Sequence, residues 1–356
     1  MHLFTCSNCG NRLYFENVTC TRCGMHLGFI PERMELCAIQ PTATPNLWRI
    51  HDSGVEYRSC ANYHQHAVCN WMVRAEDESP FCIACQLNHT IPDLSIAGNH
   101  ALWHTLEIEK RRLVYSLLRL GLPVIPRDRD ENGLAFNFMA DSTSPFNERD
   151  KVLTGHADGM ITINIQEADP AMRERLREEL AEPYRTLLGH FRHESGHFYW
   201  DRLIRNTPWL NECRQLFGDD SLDYGQALNQ HYQQGPPNNW EDHYISSYAT
   251  MHPWEDWAET WAHYLHMVDT LETAWQFGLG INPMAGDDIN APLQTNFDPY
   301  QEATIEALIE HWLPLTFALN SLNRSMGHAH AYPFVLSPTV SDKLGFVHRV
   351  VRSQKH

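Results

Sequence analysis

Apolar residues keep a helical period through much of the chain and switch to alternation in two short stretches. Trp254, Trp257, Trp261, Leu265 and Val268 recur at intervals of three and four, the spacing that lines one face of an α-helix. Pro253 suits that helix's first position, and Glu255 and Asp256 suit its first turn. Leu102, Leu106, Leu113, Leu117 and Leu120 predict a helix over 101–120, stopped by Gly121-Leu-Pro123. Leu187, Leu188, Phe191, Phe198, Leu203 and Ile204 predict another of about five turns, with Pro183 at its start and Asn206-Thr-Pro208 at its stop. Residues 134–139 and 160–165 alternate as half-buried strands do, the second following a His156-Ala-Asp-Gly159 turn.

The remaining segments are read more coarsely. The Arg/Glu run at 173–182 reads as a solvated helix. A helix near 299–324 is expected to break or kink at Pro314, and a last one covers 338–352. Residues 90–103 read as a linker. The chain after Pro208 is polar and loop-rich, broken at Gly235-Pro-Pro-Asn-Asn239. Tyr224, Tyr232, Trp240 and Tyr244 in this region could line a cleft, although packing is the ordinary role of each.

Composition narrows the class. The chain has 356 residues, 43% hydrophobic and 20% charged, as in ordinary globular proteins. A formal charge of −17 disfavours non-specific binding to nucleic acid or anionic membranes. No apolar run is long enough to span a bilayer, and the N-terminus lacks the basic-then-apolar pattern of a secretory signal. The expected compartment is the cytoplasm, where ten cysteines serve as metal ligands or free thiols rather than disulfides.

Eight of the ten cysteines fall into two sets. Cys6-Ser-Asn-Cys9 and Cys20-Thr-Arg-Cys23 form two Cys-x-x-Cys knuckles ten residues apart, which is zinc-ribbon spacing. Cys60, Cys69, Cys82 and Cys85 form a looser set in which His64 or His66 could substitute for a cysteine. Segments this short and polar need a metal staple to fold. Cys37 lies outside both sets. Residues 1–100 carry six Arg and no Lys, so these modules read as structural or partner-docking rather than nucleic-acid readers. The expected division is a zinc ribbon at 1–40, a second, four-cysteine zinc-binding module at 41–98 and a mainly helical domain with a small sheet at 99–356, an α+β architecture.

The helix after 184 carries His193-Glu194-Ser-Gly-His197. His-Glu-x-x-His on a helix stacks two imidazoles on one face, while the glutamate, rotated by about 100°, can take a proton from a metal-activated water. With 22 histidines in the chain, roughly one sequence in ten of this make-up would show the pattern by accident. The apolar helical context and the absence of internal proline therefore carry weight. A catalytic zinc keeps three protein ligands, so one more is needed. Glu255, Glu259, Asp201, His190, His263 and His266 are candidates. Asp201, one turn after His197, is better placed to orient an imidazole than to bind the ion.

Tyr248 followed by Glu255-Asp-Trp-Ala-Glu259 resembles the site of gluzincins of the lethal-factor and Pro-Pro endopeptidase type. That resemblance implies Glu255 as third ligand, Tyr248 as partner of the oxyanion and Glu259 as support behind a ligand imidazole. The gap between His197 and Glu255 is longer here, so the likeness does not extend to the intervening loop. The two cysteine clusters joined to Arg192-His-Glu-Ser-Gly-His-Phe-Tyr-Trp-Asp201 resemble, over nearly the whole chain, a bacterial zinc-binding metallopeptidase family with a zinc-ribbon head. The implied protein is a zincin-like peptide hydrolase with one catalytic and two structural Zn²⁺ ions and Glu194 as general base. Strand 160–165 is expected to offer an edge to an extended substrate, and the ribbons a docking surface to a protein. The competing expectation is a non-catalytic zinc protein that docks partners or associates with nucleic acid. An intact Glu194 and Tyr248 weigh against it.

Overall fold

In the computed structural model, which describes residues 2–141, 152, 154–179, 186–283, 293–294 and 296–354, the chain forms two compact units. The first comprises residues 1–119 and 123–173 and the second 120–122 and 174–356.

The first unit opens on a two-stranded hairpin, Phe4–Thr5 (β1) with Arg12–Leu13 (β2). A five-stranded antiparallel sheet follows in sequential order: His26–Ile30 (β3), Glu35–Pro41 (β4), Leu47–Ile50 (β5), Glu56–Ser59 (β6) and Met72–Arg74 (β7). One-turn helix Ala61–His64 (α1) lies between the last two strands. Cys37 is buried in β4 among Ile30, Ile39, Ile50, Tyr57 and Met72. The division expected at residue 40 falls inside β4.

A second sheet uses Asn88–Thr90 (β8), whose last residue opens the stretch that reads as a linker. Helix Asn99–Arg119 (α2) comes next in the chain, then Ala135–Met139 (β9), Gly155–Ala157 (β10) and Met160–Asn164 (β11). The order is β10-β11-β9-β8. The stretch at 160–165, expected as a sheet edge, is not one: β11 is flanked by β10 on one side and β9 on the other. Asp158 and Gly159, at φ 47° and 81°, make the two-residue turn that folds β10 back onto β11. Helix Pro170–Glu179 (α3) follows.

The second unit is mostly helical: Leu187–Leu203 (α4), Leu210–Phe217 (α5), Tyr224–Gln234 (α6), Pro253–Gln276 (α7), Ile305–Ser325 (α8) and Pro338–Arg352 (α9). Gly280–Ile281 (β12) pairs antiparallel with Leu293–Gln294 (β13). Helix α8 runs through Pro314 without ending there and starts at Ile305, capped by Thr304. Pro183 and Tyr184, expected at the head of α4, lie outside the described residues. Within those residues the helix is capped by Thr186, which accepts from Gly189 N–H at 3.0 Å.

Helices α4 and α7 form the centre of this unit. The whole stretch from Phe191 to Trp200 is buried, as are Trp257, Trp261, Leu265 and Val268. The two helices meet where side chains are smallest: a Cβ on Gly196 would stand 2.9 Å from Cα of Ala258. The Nε1–H of Trp257 reaches the Gly196 carbonyl at 2.8 Å, and that of Trp261 reaches Ser195 Oγ at 3.2 Å. Buried charges on these helices are paired, as burial demands. Arg192 bonds Asp269 at 2.5 Å and His266 Nδ1 at 2.6 Å, and Lys343 bonds Asp256 at 2.6 Å. Among the described residues no helix is long and apolar enough to cross a membrane.

Candidate active site

Three groups of metal-ligating side chains converge in the described residues: Cys6, Cys9, Cys20 and Cys23; Cys60, Cys69, Cys82 and Cys85; and His193, His197 and Glu255. The first two lie in the first unit and the third in the second.

Each knuckle of the first group ends in a glycine at positive φ, Gly10 at 71° and Gly24 at 74°, conformations that favour a residue without Cβ. These turns bring Sγ of Cys6 to 3.8 Å from Cys23 and Sγ of Cys9 to 3.7 Å from Cys20. In the second group Cys69 and Cys82 are 3.7 Å apart and all four cysteines are buried. A tetrahedron with zinc–sulfur arms of about 2.3 Å has edges of about 3.8 Å, so both groups have the spacing of a four-thiolate zinc site. His64 and His66 are not part of the second group; the His66 ring packs against Trp103. Backbone N–H groups of Trp71 and Cys82 point at Sγ of Cys69 and Cys60, each at 3.4 Å. Arg111 of α2 is buried near Cys69, Cys82 and Cys85. Burial works against its charge, yet the thiols and Glu107 hold it above its ordinary value.

The third group is built by α4 and α7. His193 and His197 sit one turn apart on α4, with rings 4.9 Å apart and nearly perpendicular. Glu255 occupies the first turn of α7, which His252 caps by accepting from Trp254 N–H at 3.1 Å and Pro253 opens. That terminus favours a carboxylate. Glu255 Oε2 lies 2.9 Å from His193 Nε2, and Oε1 lies 3.4 Å from His197 Nε2. Nitrogen and oxygen arms of about 2.0–2.1 Å give tetrahedral edges of about 3.3 Å, so the donor set fits zinc.

Nδ1–H of His193 donates to Glu259 Oε1 at 2.6 Å, and Ser246 Oγ donates to the other oxygen at 2.6 Å. Glu259 thus fixes the tautomer that leaves Nε2 of His193 as the ligand atom. Burial lowers the proton affinity of His193, but Glu255 and Glu259 together hold it well above the histidine range. Burial raises Glu255, but the charges and hydrogen bonds of His197 and His193 bring it well below the carboxylate range.

Glu194 is buried, with Oε1 3.3 Å from Nε2 of His190, one turn earlier. Burial raises it, while His190, His193 and His197 bring it below its ordinary value. His190, a candidate ligand by sequence, therefore sits beside the candidate base. Tyr248, in a 3-10 turn, has its ring 6.0 Å from that of His193. Burial first, then Glu255 and Tyr224, push its phenol far above the ordinary range, so it stays protonated. Asp201 pairs with Arg205 at 2.8 Å. His263 turns to Tyr332, 2.7 Å away, and burial pushes it down to about 4. His266 faces Arg192. Trp254 packs its ring against that of His197, centroids 3.9 Å apart and planes tilted by 40°. Tyr224, whose hydroxyl donates to Glu255 Oε1 at 2.9 Å, belongs to this site; the sequence offered it only as a residue that could line a cleft, not as a partner of Glu255. Its spacing from the motif carries no signal, because it stands on a separate helix.

Comparison with known proteins places the chain in a family. Residues 99–350 match the model of the family described as "Putative zinc-binding metallo-peptidase", and residues 3–96 match a zinc-ribbon domain. Similar proteins occur in Mycobacterium bovis and in two strains of Mycobacterium tuberculosis, each described as an uncharacterized protein. Each is 44% identical over 355 residues, covering 99% of this chain and 95% of the relative. No solved structure matches the chain. With most of its length on the peptidase model and the rest on the ribbon, this chain belongs to that family of zinc-binding metallo-peptidases.

Proposed function

We propose that this chain hydrolyses peptide bonds, with zinc held by His193, His197 and Glu255 and with Glu194 as general base. The observation that carries this reading is the convergence of two imidazole Nε2 atoms and one carboxylate at a buried point. A further carboxylate, Glu194, lies on the same helix outside that set. Zinc in such a site lowers the pKa of a bound water to about 7 and polarises a carbonyl oxygen.

The side chains divide the remaining work. Glu194 accepts the proton of the attacking water and passes it to the leaving amine nitrogen. His190 holds the Glu194 carboxylate from one turn before. Tyr248, protonated, donates to the oxyanion of the tetrahedral intermediate. Glu259 keeps the His193 ring in its ligand orientation, and Trp254 covers the His197 ring. The cysteine groups, each with four protein ligands, act as structural zinc sites, and the ribbon surface around them is available to a protein partner. Eight of the ten cysteines gather in these ligand groups rather than in disulfides, which supports a reducing compartment such as the cytoplasm.

The test is a peptide library incubated with zinc-loaded protein and read by mass spectrometry. New termini should appear, disappear when a chelator strips the three-ligand site, and return with zinc. A zinc-loaded protein that cleaves nothing across a diverse library contradicts the reading.

A further inference from the structure

Glu255 has a partner from a third helix. Tyr224, the first residue of α6, donates its hydroxyl to Oε1 of Glu255 at 2.9 Å. The segment before it is tied to the start of α7 at several points. His252 takes the Trp254 N–H on Nδ1, and its Nε2–H donates to the carbonyl of Leu222 at 3.1 Å. The Tyr224 ring packs 5.4 Å from that of His252 and 6.1 Å from that of Trp254. Asp223 caps α6 by accepting from Gln226 N–H at 2.7 Å. Gly218, at φ 104°, passes so close to Pro253 that a Cβ would stand 3.2 Å from its ring. No residue of α6 is buried, so burial does not account for where Tyr224 sits; the contacts to α7 do.

We propose that Tyr224 is a positioning residue for the metal centre: by engaging Oε1 it commits Glu255 to bind zinc through Oε2 alone. A carboxylate that binds through both oxygens fills two positions around zinc. One whose second oxygen already accepts a hydrogen bond fills one, and the remaining position stays open to water and substrate. Both oxygens face a ligand imidazole, Oε2 at 2.9 Å from His193 Nε2 and Oε1 at 3.4 Å from His197 Nε2. What separates them is that Oε1 already accepts from Tyr224, while Oε2 is buried with no hydrogen-bond donor of its own among the described residues. The proposal rests on the assignment of Glu255 as a zinc ligand.

Tyr224→Phe tests it, because phenylalanine keeps the ring against His252 and Trp254 and removes the hydroxyl that donates to Glu255; that hydroxyl also meets Tyr248, so metal binding rather than turnover is the readout. Zinc affinity of the His/Glu site is measured by competition with a chelator, with the cysteine sites left filled. Cobalt is then placed in the same site to report coordination number. Tyr224→Phe should weaken zinc by about 10–100-fold and weaken the visible cobalt bands, as expected when a four-coordinate ion gains a fifth ligand atom. Wild-type affinity with a wild-type cobalt spectrum overturns the proposal. Glu255→Ala is measured in parallel. If it also keeps the metal, the assignment of Glu255 has failed and the proposal falls with it. If it loses the metal while Tyr224→Phe is unchanged, only the role of Tyr224 is wrong.

Discussion

Glu255 and Glu259 stand one turn apart on α7 and meet the same imidazole at opposite nitrogens, Nε2 for Glu255 and Nδ1 for Glu259. The two carboxylates should therefore fail differently. Glu255→Ala should leave the purified protein with one zinc fewer than wild type, the two cysteine groups serving as the internal count. Glu259→Ala should keep that zinc but hold it about 10–100-fold more weakly. Loss of the ion in Glu259→Ala and retention in Glu255→Ala would reverse the assignment. Spacing identified both residues as candidates, because i and i+4 share a helix face. It could not say which oxygen meets which nitrogen, since that depends on the angle at which α7 crosses α4.

At the scale of elements, that crossing depends on Gly196 against Ala258. A methyl group on Gly196 would lie 2.9 Å from Cα of Ala258 and 3.2 Å from Cδ1 of Trp261. Neither can move without disturbing a buried helix. Gly196→Ala should thus destabilise the protein by about 1–3 kcal/mol through overpacking, outweighing the roughly 1 kcal/mol that alanine gains in helix propensity. Denaturant unfolding of the zinc-loaded variant would show it, and an unchanged or higher midpoint would mean the helices are free to separate.

Elements with a buried apolar stripe were legible in the sequence. The last helix was expected at 338–352 and is found there, and the one after Pro253 starts where proline and two acids signalled it. Helix α6 was not legible because none of its residues is buried and no stripe marks it. Helix α5 was passed over although Leu210, Cys213 and Phe217 recur at helical spacing. Strand β4 escaped because Leu36 to Ile39 are all buried and give no alternation. The edge expected at 160–165 failed for a different reason. Alternation shows that one face of a strand is buried, but not whether neighbours pair with its sides.

Over the whole molecule, the chemistry was more legible than the topology, because motif spacing survives in sequence while strand order does not. Two cysteine groups and one His/Glu group gather as ligand sets, each from residues of this one chain. What sequence could not supply is the surroundings that tune each set: the guanidinium of Arg111 beside the second cysteine group, His190 beside Glu194, and Tyr224 on Glu255. Most of these contacts are long-range, and all involve residue types common at any surface. The central claim is that Glu194 moves the proton while other residues hold the metal. Its most direct measurement is the turnover of Glu194→Gln against wild type on one verified peptide, at equal occupancy of the His/Glu zinc. The expected result is unchanged zinc content with a rate about 10²–10⁴-fold lower; full activity in the zinc-loaded variant would contradict it.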